Sequence, residues 1–296
     1  MNGPRAAGSH RALDGKEANM ADTLTVPAVR TRKRKDGAAP LVMITAYDTP
    51  TASAVDAAGV DMILVGDSVA NTVLGYDSTL SVTISDMAHH VAAVARARPR
   101  ALVVGDMPWM SYHTSHDEAV RNAATLIRAG AGAVKLEGGA RRVAVIDAIV
   151  GAEIPVMGHL GLTPQSVHVM GGYRVQGKQP DAAEALIADA LAIEEAGCFA
   201  MVLEAMPDVV AANVTERVGV PTIGIGAGAS CDGQVLVAHD LLGFGDARPA
   251  KFVRRYADVR GVIVDAVTAW AGDVRSGSFP SDQETYHLGK VPSSPA

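Results

Sequence analysis

The chain has 296 residues, of which 48% are hydrophobic and 20% charged, and its formal net charge is −6. This size and composition suit one α/β barrel or two smaller domains. The net negative charge does not indicate a basic surface for nucleic-acid binding, and no apolar stretch approaches the roughly 20 residues of a membrane span. The expected partners are therefore small molecules, with no nucleic acid and no membrane.

The two ends of the chain differ in composition from the rest. Residues 1–22 are rich in small, polar and basic residues without periodicity, which predicts an extension that is disordered or left over from cloning. The basic segment 31–37 (TRKRKDG) is interpreted as a solvated loop or helix face. Residues 281–296 are rich in Ser and Pro and are expected to form an irregular tail. A single folded domain is thus predicted over residues 23–280.

Eight short apolar runs alternate with segments of helical periodicity between these ends. Such runs, bounded by Gly or Pro, are typical of strands buried on both faces in a parallel sheet. The predicted strands begin near Leu41, Met62, Ala101, Ala133, Ile154, Phe199, Pro221 and Val235. This repetition over about 250 residues predicts a (βα)8 TIM barrel. A doubly wound open sheet is the alternative, because the last two strands are too close together for a full helix.

Acidic residues end four of these runs, at Asp67, Asp106, Glu137 and Glu204. The carboxyl ends of barrel strands form the face where ligands bind. If the first three acids converge, each pair at about 4 Å repels by roughly 4 kcal/mol at an effective dielectric near 20. A divalent cation would relieve this repulsion. Oxygen donors without His or Cys spacing favour Mg²⁺, with one or two direct carboxylates and the others acting through water.

Lys135 and Glu137 are two residues apart on one predicted strand, so their side chains leave the same face. They form either a structural ion pair at the barrel mouth or part of a site, and the neighbouring acids favour the site. Glu204 lies further round the barrel and is a candidate general base. The alternative is that Glu204 caps the helix beginning near Asp208.

Other polar features remain ambiguous from the sequence. His159, at the end of the fifth strand, is either a hydrogen-bonded structural residue or a group that donates to the substrate or orients the base. The longest non-repeating insertion, from Thr163 to Pro180, is a candidate active-site loop. Cys198 and Cys231 have no metal-type spacing and are expected to be inert in a reducing, cytoplasmic setting.

Eight short motifs, taken together and in their order along the chain, resemble those of a known family. In chain order they are VGDS from Val65, LGYDSTL from Leu74, GDMPWMSY from Gly105, VKLEGG from Val134, PVMGHLGLTPQSVH from Pro155, GGYRVQGK from Gly171, VLEAMP from Val202 and IGIGAGASCDGQVLVAHDLLG from Ile223. Over about Leu41 to Pro280 the chain resembles the ketopantoate hydroxymethyltransferase family. The resemblance implies a (βα)8 barrel of the phosphoenolpyruvate/pyruvate-type superfamily, assembled as a homo-oligomer, usually a decamer.

The resemblance also implies an activity, the first step of pantothenate biosynthesis. Family members transfer a hydroxymethyl group from 5,10-methylenetetrahydrofolate, a co-substrate, to 3-methyl-2-oxobutanoate, giving 2-dehydropantoate and tetrahydrofolate with Mg²⁺ as cofactor. Three positions match the family's metal-site acids, namely Asp67, Asp106 and Glu137. Four match contacts to the keto acid, namely Asp67, Ser68, Asp106 and Lys135. Glu204 matches the proton acceptor.

Two rival functions are compatible with parts of this pattern. A carbon–carbon lyase of the same superfamily would act on related oxo acids, but it would be expected to carry a Cys in a mobile loop, a setting that neither Cys198 nor Cys231 has. A non-catalytic barrel that binds a 2-oxo acid would have no need of a base such as Glu204.

Overall fold

Eight parallel strands form a closed barrel in which the strand order follows the chain. The structure is a computed structural model and describes residues 23–245 and 249–287. The strands are β1 (Leu41–Thr45), β2 (Met62–Val65), β3 (Leu102–Asp106), β4 (Ala133–Lys135), β5 (Val156–Gly161), β6 (Ala200–Glu204), β7 (Thr222–Ile225) and β8 (Gly233–Leu236). The (βα)8 barrel predicted from the sequence is confirmed. The predicted extension 1–22 and the end of the predicted tail, 288–296, lie outside the described residues.

Helices precede, connect and follow the strands in the described part of the chain. They are α1 (Val26–Arg30), α2 (Thr49–Ala57), α3 (Val69–Thr72), α4 (Ile84–Ala95), α5 (His116–Ala129), α6 (Val143–Gly151), α7 (Val167–Met170), α8 (Pro180–Glu195), α9 (Asp208–Arg217), α10 (Ala238–Leu242) and α11 (Val259–Ser276). The N-termini of several are set by side-chain caps. Thr83 and Asp86 form a reciprocal capping box at α4, and the Ser115 side chain accepts from the Glu118 amide at α5, satisfying amides that have no partner within the helix.

The apolar side chains of the strands divide into two cores. One cluster fills the barrel interior and includes Met43, Met62, Val104 and Ile223. The other lies between the strands and the helices and includes Ile63, Val103, Leu126 and Ile146. Adjacent residues of one strand therefore point into different cores, and both are buried. This explains why the strands are almost continuous apolar runs.

Closure of the barrel depends on pairing between its first and last strands. β8 pairs in parallel with both β7 and β1, from Leu41 opposite Gly233 to Ile44 opposite Leu236. Residues 226–232 connect β7 to β8 without a helix. The short connection that favoured an open sheet is therefore real, but the β1–β8 hydrogen bonds rule that alternative out.

The basic segment 31–37 is not wholly solvated as predicted. The Lys33 side chain is 3% exposed and its Nζ lies 2.7 Å from Asp232 Oδ2. The same ammonium group donates to the backbone carbonyls of Thr215 and Val220. The prediction was wrong for this lysine because its partners lie far along the chain, beside β7 and β8.

The C-terminal helix α11 differs from the others because none of its residues is buried. Its apolar side chains Val262, Val267 and Trp270 are each more than half exposed, at 68%, 55% and 53%. Helix α11 therefore presents an unpartnered apolar surface beside the barrel. No helix among the described residues is long and apolar enough to cross a membrane.

Candidate active site

The carboxyl ends of the strands place the predicted site residues around one cavity. Asp106, Lys135 and Glu204 are the last residues of β3, β4 and β6, and Asp67 and Glu137 follow β2 and β4 by two residues. The cavity has a volume of about 360 Å³ and is lined by all six predicted residues, Asp67, Ser68, Asp106, Lys135, Glu137 and Glu204, together with His159. Every predicted site residue is thus brought to the same place, as the strand-end pattern indicated.

A buried ion pair between Lys135 and Asp106 lines this cavity. The Lys135 Nζ is 2.7 Å from Asp106 Oδ2, and the two side chains are 4% and 2% exposed. Burial alone would lower the pKa of Lys135, but the charges of Asp106, Glu137 and Asp67 outweigh it and raise this pKa. Lys135 therefore carries a positive charge at neutral pH.

Asp67 lies beside this pair, and its backbone amide donates to Asp106 Oδ2 at 3.2 Å. Burial raises the pKa of Asp67 well above its usual value, and the charges of Asp106 and Glu137 raise it further. Burial also raises the pKa of Asp106, against the lowering effect of Lys135. The carboxylates therefore repel each other in a place that is almost dry.

His159 lies between the two glutamates. Its Nδ1 is 3.3 Å from Glu137 Oε1 and its Nε2 is 3.2 Å from Glu204 Oε2. Neither contact is well aligned, because Glu137 Oε1 and His159 Nε2 lack a properly directed hydrogen bond. Burial and Lys135 lower the pKa of His159, but the two glutamates outweigh them and raise it to about 9. His159 therefore lies within ion-pair distance of both Glu137 and the predicted base, Glu204.

Glu204 occupies a constrained backbone position. Gly161 pairs with it across the β5–β6 ladder, and a Cβ atom at Gly161 would collide with the Glu204 carbonyl oxygen. The next residue, Ala205, has a positive φ of 45°, which is a strained backbone conformation for any residue other than glycine. The Glu204 side chain is 17% exposed. Helix α9 begins after Pro207 without a side-chain cap, which excludes the alternative that Glu204 caps this helix.

Two site residues were not singled out from the sequence. Gln165 lies in the predicted active-site loop after β5, and its Nε2 donates to Asp67 Oδ2 at 3.0 Å. Tyr112 follows β3 and its hydroxyl donates to Gln165 Oε1 at 2.6 Å. The loop itself was identified by its length, but neither side chain has a local signal, because their partners come from other strands.

The net charge of the site bears on whether it can bind a divalent cation. Four carboxyl groups, on Asp67, Asp106, Glu137 and Glu204, meet two cationic side chains, Lys135 and His159. The ionised site therefore has two negative charges in excess, and Glu137 Oε1 is buried without a directed hydrogen bond. Within the described part of the chain, however, no three His, Cys, Asp or Glu side chains are grouped closely enough to hold a metal ion together. The donor set suits a hard cation that keeps several waters.

The closed barrel also has counterparts among solved structures. A crystal structure of 2,3-dimethylmalate lyase, described as a PEP mutase/isocitrate lyase superfamily member, aligns over 88% of this chain and 91% of its own, with a TM-score of 0.57 and 18% identity. A phosphonopyruvate hydrolase solved with oxalate and Mg²⁺ aligns over 88% and 92%, with a TM-score of 0.57 and 15% identity. These solved structures therefore share the (βα)8 barrel fold of this chain, whose acidic residues lie at the carboxyl ends of the strands.

Sequence comparison is more specific than these structural matches. The family model described as ketopantoate hydroxymethyltransferase matches residues 23–282. A relative from Koribacter versatilis, named 3-methyl-2-oxobutanoate hydroxymethyltransferase, is 58% identical over 252 residues, which cover 85% of each chain. The chain belongs to the ketopantoate hydroxymethyltransferase family, and the resemblance inferred from its motifs is confirmed.

Proposed function

We propose that this protein transfers a hydroxymethyl group from 5,10-methylenetetrahydrofolate to 3-methyl-2-oxobutanoate, giving 2-dehydropantoate and tetrahydrofolate. The observation that carries this function is the contact between His159 and Glu204 beside a buried set of carboxylates and Lys135. A base next to a cation-binding site is what proton removal beside a keto group requires. Family membership and the name of the Koribacter relative support the same reaction.

Mg²⁺ is the cofactor that we propose for this site. Asp67 and Asp106 would be its direct ligands, with Glu137 reached through water, in agreement with the looser grouping of the three acids. When bound, Mg²⁺ supplies Lewis acidity that favours negative charge on the keto oxygen of the substrate. The hydrolase solved with oxalate and Mg²⁺ has the same fold and supports this choice.

The residues of the chain have separable tasks in the reaction. Glu204 removes the proton from C3 of the keto acid, and C3 then forms a carbon–carbon bond to the methylene carbon of the folate. Both carbon–nitrogen bonds of that methylene carbon break, water supplies the hydroxyl oxygen, and the two folate nitrogens take up the proton from C3 and one proton from the water. Lys135 and the Ser68 hydroxyl hold the carboxylate of the keto acid. His159 keeps the Glu204 carboxylate facing the cavity. Since these groups are held in place before the substrate binds, little reorganisation is needed during the reaction.

The rival functions have less support. A lyase with a reactive cysteine is disfavoured because Cys198 and Cys231 are both buried, and burial raises the pKa of Cys198 to about 12. A pure oxo-acid-binding protein would not require the Glu204–His159 arrangement. The two unpaired thiols suit a reducing compartment, and we propose a cytoplasmic location.

The protein is also proposed to be a homo-oligomer, and by family resemblance a decamer. Helix α11 supports self-association because its apolar side chains are exposed and no residue of it is buried. Ile263, Val267, Trp270 and Val274 are spaced three or four residues apart and are all exposed, and an apolar stripe of this kind on one helix face is typical of an interface.

The decisive experiment supplies the protein with 3-methyl-2-oxobutanoate, MgCl₂ and 5,10-methylenetetrahydrofolate, and detects 2-dehydropantoate by mass spectrometry. Product is expected only when all three are present. A parallel reaction with 2-methylisocitrate tests the lyase alternative through release of pyruvate. Pyruvate release without formation of 2-dehydropantoate would replace the proposed function.

A further inference from the structure

Gln165 is the most highly connected polar side chain at the site that has no assigned role. It is 5% exposed and lies in a short 3-10 turn, Pro164–Ser166, in the loop after β5. Its Nε2 donates to Asp67 Oδ2 and to the Met107 carbonyl, both at 3.0 Å. Its backbone amide donates to Glu137 Oε2, also at 3.0 Å. One residue therefore joins the loops that follow β2, β3, β4 and β5.

Tyr112 fixes the orientation of the Gln165 amide. The Tyr112 hydroxyl donates to Gln165 Oε1 at 2.6 Å and accepts the Glu137 backbone amide at 3.2 Å. A flipped amide would turn Oε1 toward the Met107 carbonyl and the Asp67 carboxylate, which are both acceptors. Tyr112 is itself 2% exposed, and the Arg142 guanidinium lies over its ring, 5.4 Å from the centroid. The donor side of Gln165 can therefore face only Asp67 and Met107.

We infer that Gln165 is a positioning residue, whose side-chain amide engages Oδ2 of Asp67 and so turns the other oxygen of that carboxylate toward the cation and substrate. Asp67 Oδ2 accepts from Gln165 Nε2 at 3.0 Å, and the Tyr112 hydroxyl keeps that donor in place. Glu137 is held by the backbone of the same residue, because its Oε2 accepts from the Gln165 amide while its Oε1 faces His159 Nδ1 at 3.3 Å. The inference rests on the proposed function, because it assigns the other oxygen of Asp67 to a cation-assisted reaction.

The test compares Mg²⁺ binding to metal-free wild-type and variant proteins by titration calorimetry with MgCl₂ alone. Q165M keeps the length of the side chain but removes both donors and the acceptor. Loss of an outer-shell hydrogen bond of this kind typically weakens metal binding by about 10- to 100-fold, and we expect this for Q165M. Y112F should weaken Mg²⁺ binding less, because it leaves the Gln165 side-chain amide in place and only allows it to rotate. The double variant should bind about as weakly as Q165M, because the contact by which Tyr112 acts on Asp67 runs through Gln165.

T215V is the matched control. Thr215 is buried and its hydroxyl is bonded to the Ala211 carbonyl and to the Thr222 hydroxyl, both at 2.7 Å, so the substitution also removes buried hydrogen bonds, away from the site. Mg²⁺ affinity should be unchanged in T215V even if its melting temperature falls. Equal losses of affinity in T215V and Q165M would overturn the inference, as would wild-type affinity in Q165M.

Folding and function are controlled separately. Circular dichroism verifies that each variant is folded, and if Q165M does not fold, wild-type Mg²⁺ affinity in folded Y112F overturns the inference. Failure of the proposed function would be seen differently, as normal Mg²⁺ binding by the wild type without formation of 2-dehydropantoate. A wild type that does not bind Mg²⁺ would overturn both.

Discussion

Lys135 and Asp106 occupy paired positions on neighbouring strands, and the lysine Nζ contacts both oxygens of the carboxylate, at 2.8 Å from Oδ1 and 2.7 Å from Oδ2. The pair is buried, so each charge depends on the other for stabilisation. It also leaves the ammonium group at the cavity wall, where the carboxylate of a keto acid can share it. The same contact therefore contributes to folding and to substrate binding.

K135M should be strongly destabilising. Removal of one partner leaves Asp106 as a buried, uncompensated charge, a change that typically costs about 3–5 kcal/mol of unfolding free energy. K135M/D106N should recover part of this loss, because the remaining charge is also removed. Urea denaturation measures both. The control is R121A, which removes an exposed pair with Asp117 and should change stability by less than about 0.5 kcal/mol; a similar small effect in K135M would contradict the interpretation.

H159F should impair proton removal more than folding of the site. The substitution keeps a ring of similar size but removes both contacts to Glu137 and Glu204, so the base loses its fixed orientation. Misplacement of a catalytic group costs about 10²-fold in rate. The measurement is exchange of the C3 proton of 3-methyl-2-oxobutanoate in D₂O by NMR. E204Q should abolish this exchange while retaining Mg²⁺ binding, and H89N, on an exposed helical residue, should exchange as wild type. Exchange at the wild-type rate in E204Q would exclude Glu204 as the base.

Chelation should affect stability in a pH-dependent way. The pKa of Asp67 is raised by burial and by the charge of Asp106, so the metal-free folded protein binds protons more tightly than the unfolded chain and loses stability as pH rises through that pKa. Mg²⁺ binds the ionised form and stabilises by about 2.7 kcal/mol at 100 times its Kd. The melting temperature difference between MgCl₂ and EDTA should therefore be larger at about pH 8 than at about pH 5. A difference that does not change with pH would mean that Asp67 and Asp106 do not share an ion.

Charge on α11 should reduce the size of the assembly. Val267 and Trp270 are both more than half exposed, and V267D/W270S would place polar groups in the proposed interface. Light scattering after size-exclusion chromatography should give a lower mass for this variant than for the wild type. D265N, a substitution on the same exposed helix that adds no apolar or acidic group, is the control. An unchanged mass in V267D/W270S would exclude this face as a subunit contact.

The strand positions and the places of the acidic residues follow from the order of apolar and polar residues along the chain. Burial on both faces makes a barrel strand an unbroken apolar run, and a carboxylate that ends such a run is easily recognised. Asp67, Asp106, Glu137 and Glu204 could therefore be assigned to one edge of a barrel before any distance was known. The order of eight motifs was sufficient to identify the family.

The contacts between polar groups, in contrast, depend on how the closed barrel brings distant residues together. Gln165 and Asp67 are 98 residues apart, and Lys33 reaches Asp232 across 199 residues; in neither case does local periodicity specify the partner. The position of His159 between two glutamates likewise depends on the packing of β4, β5 and β6. Apolar patterns record whether a residue is buried, whereas hydrogen bonds and ion pairs depend on which strands become neighbours when the barrel closes.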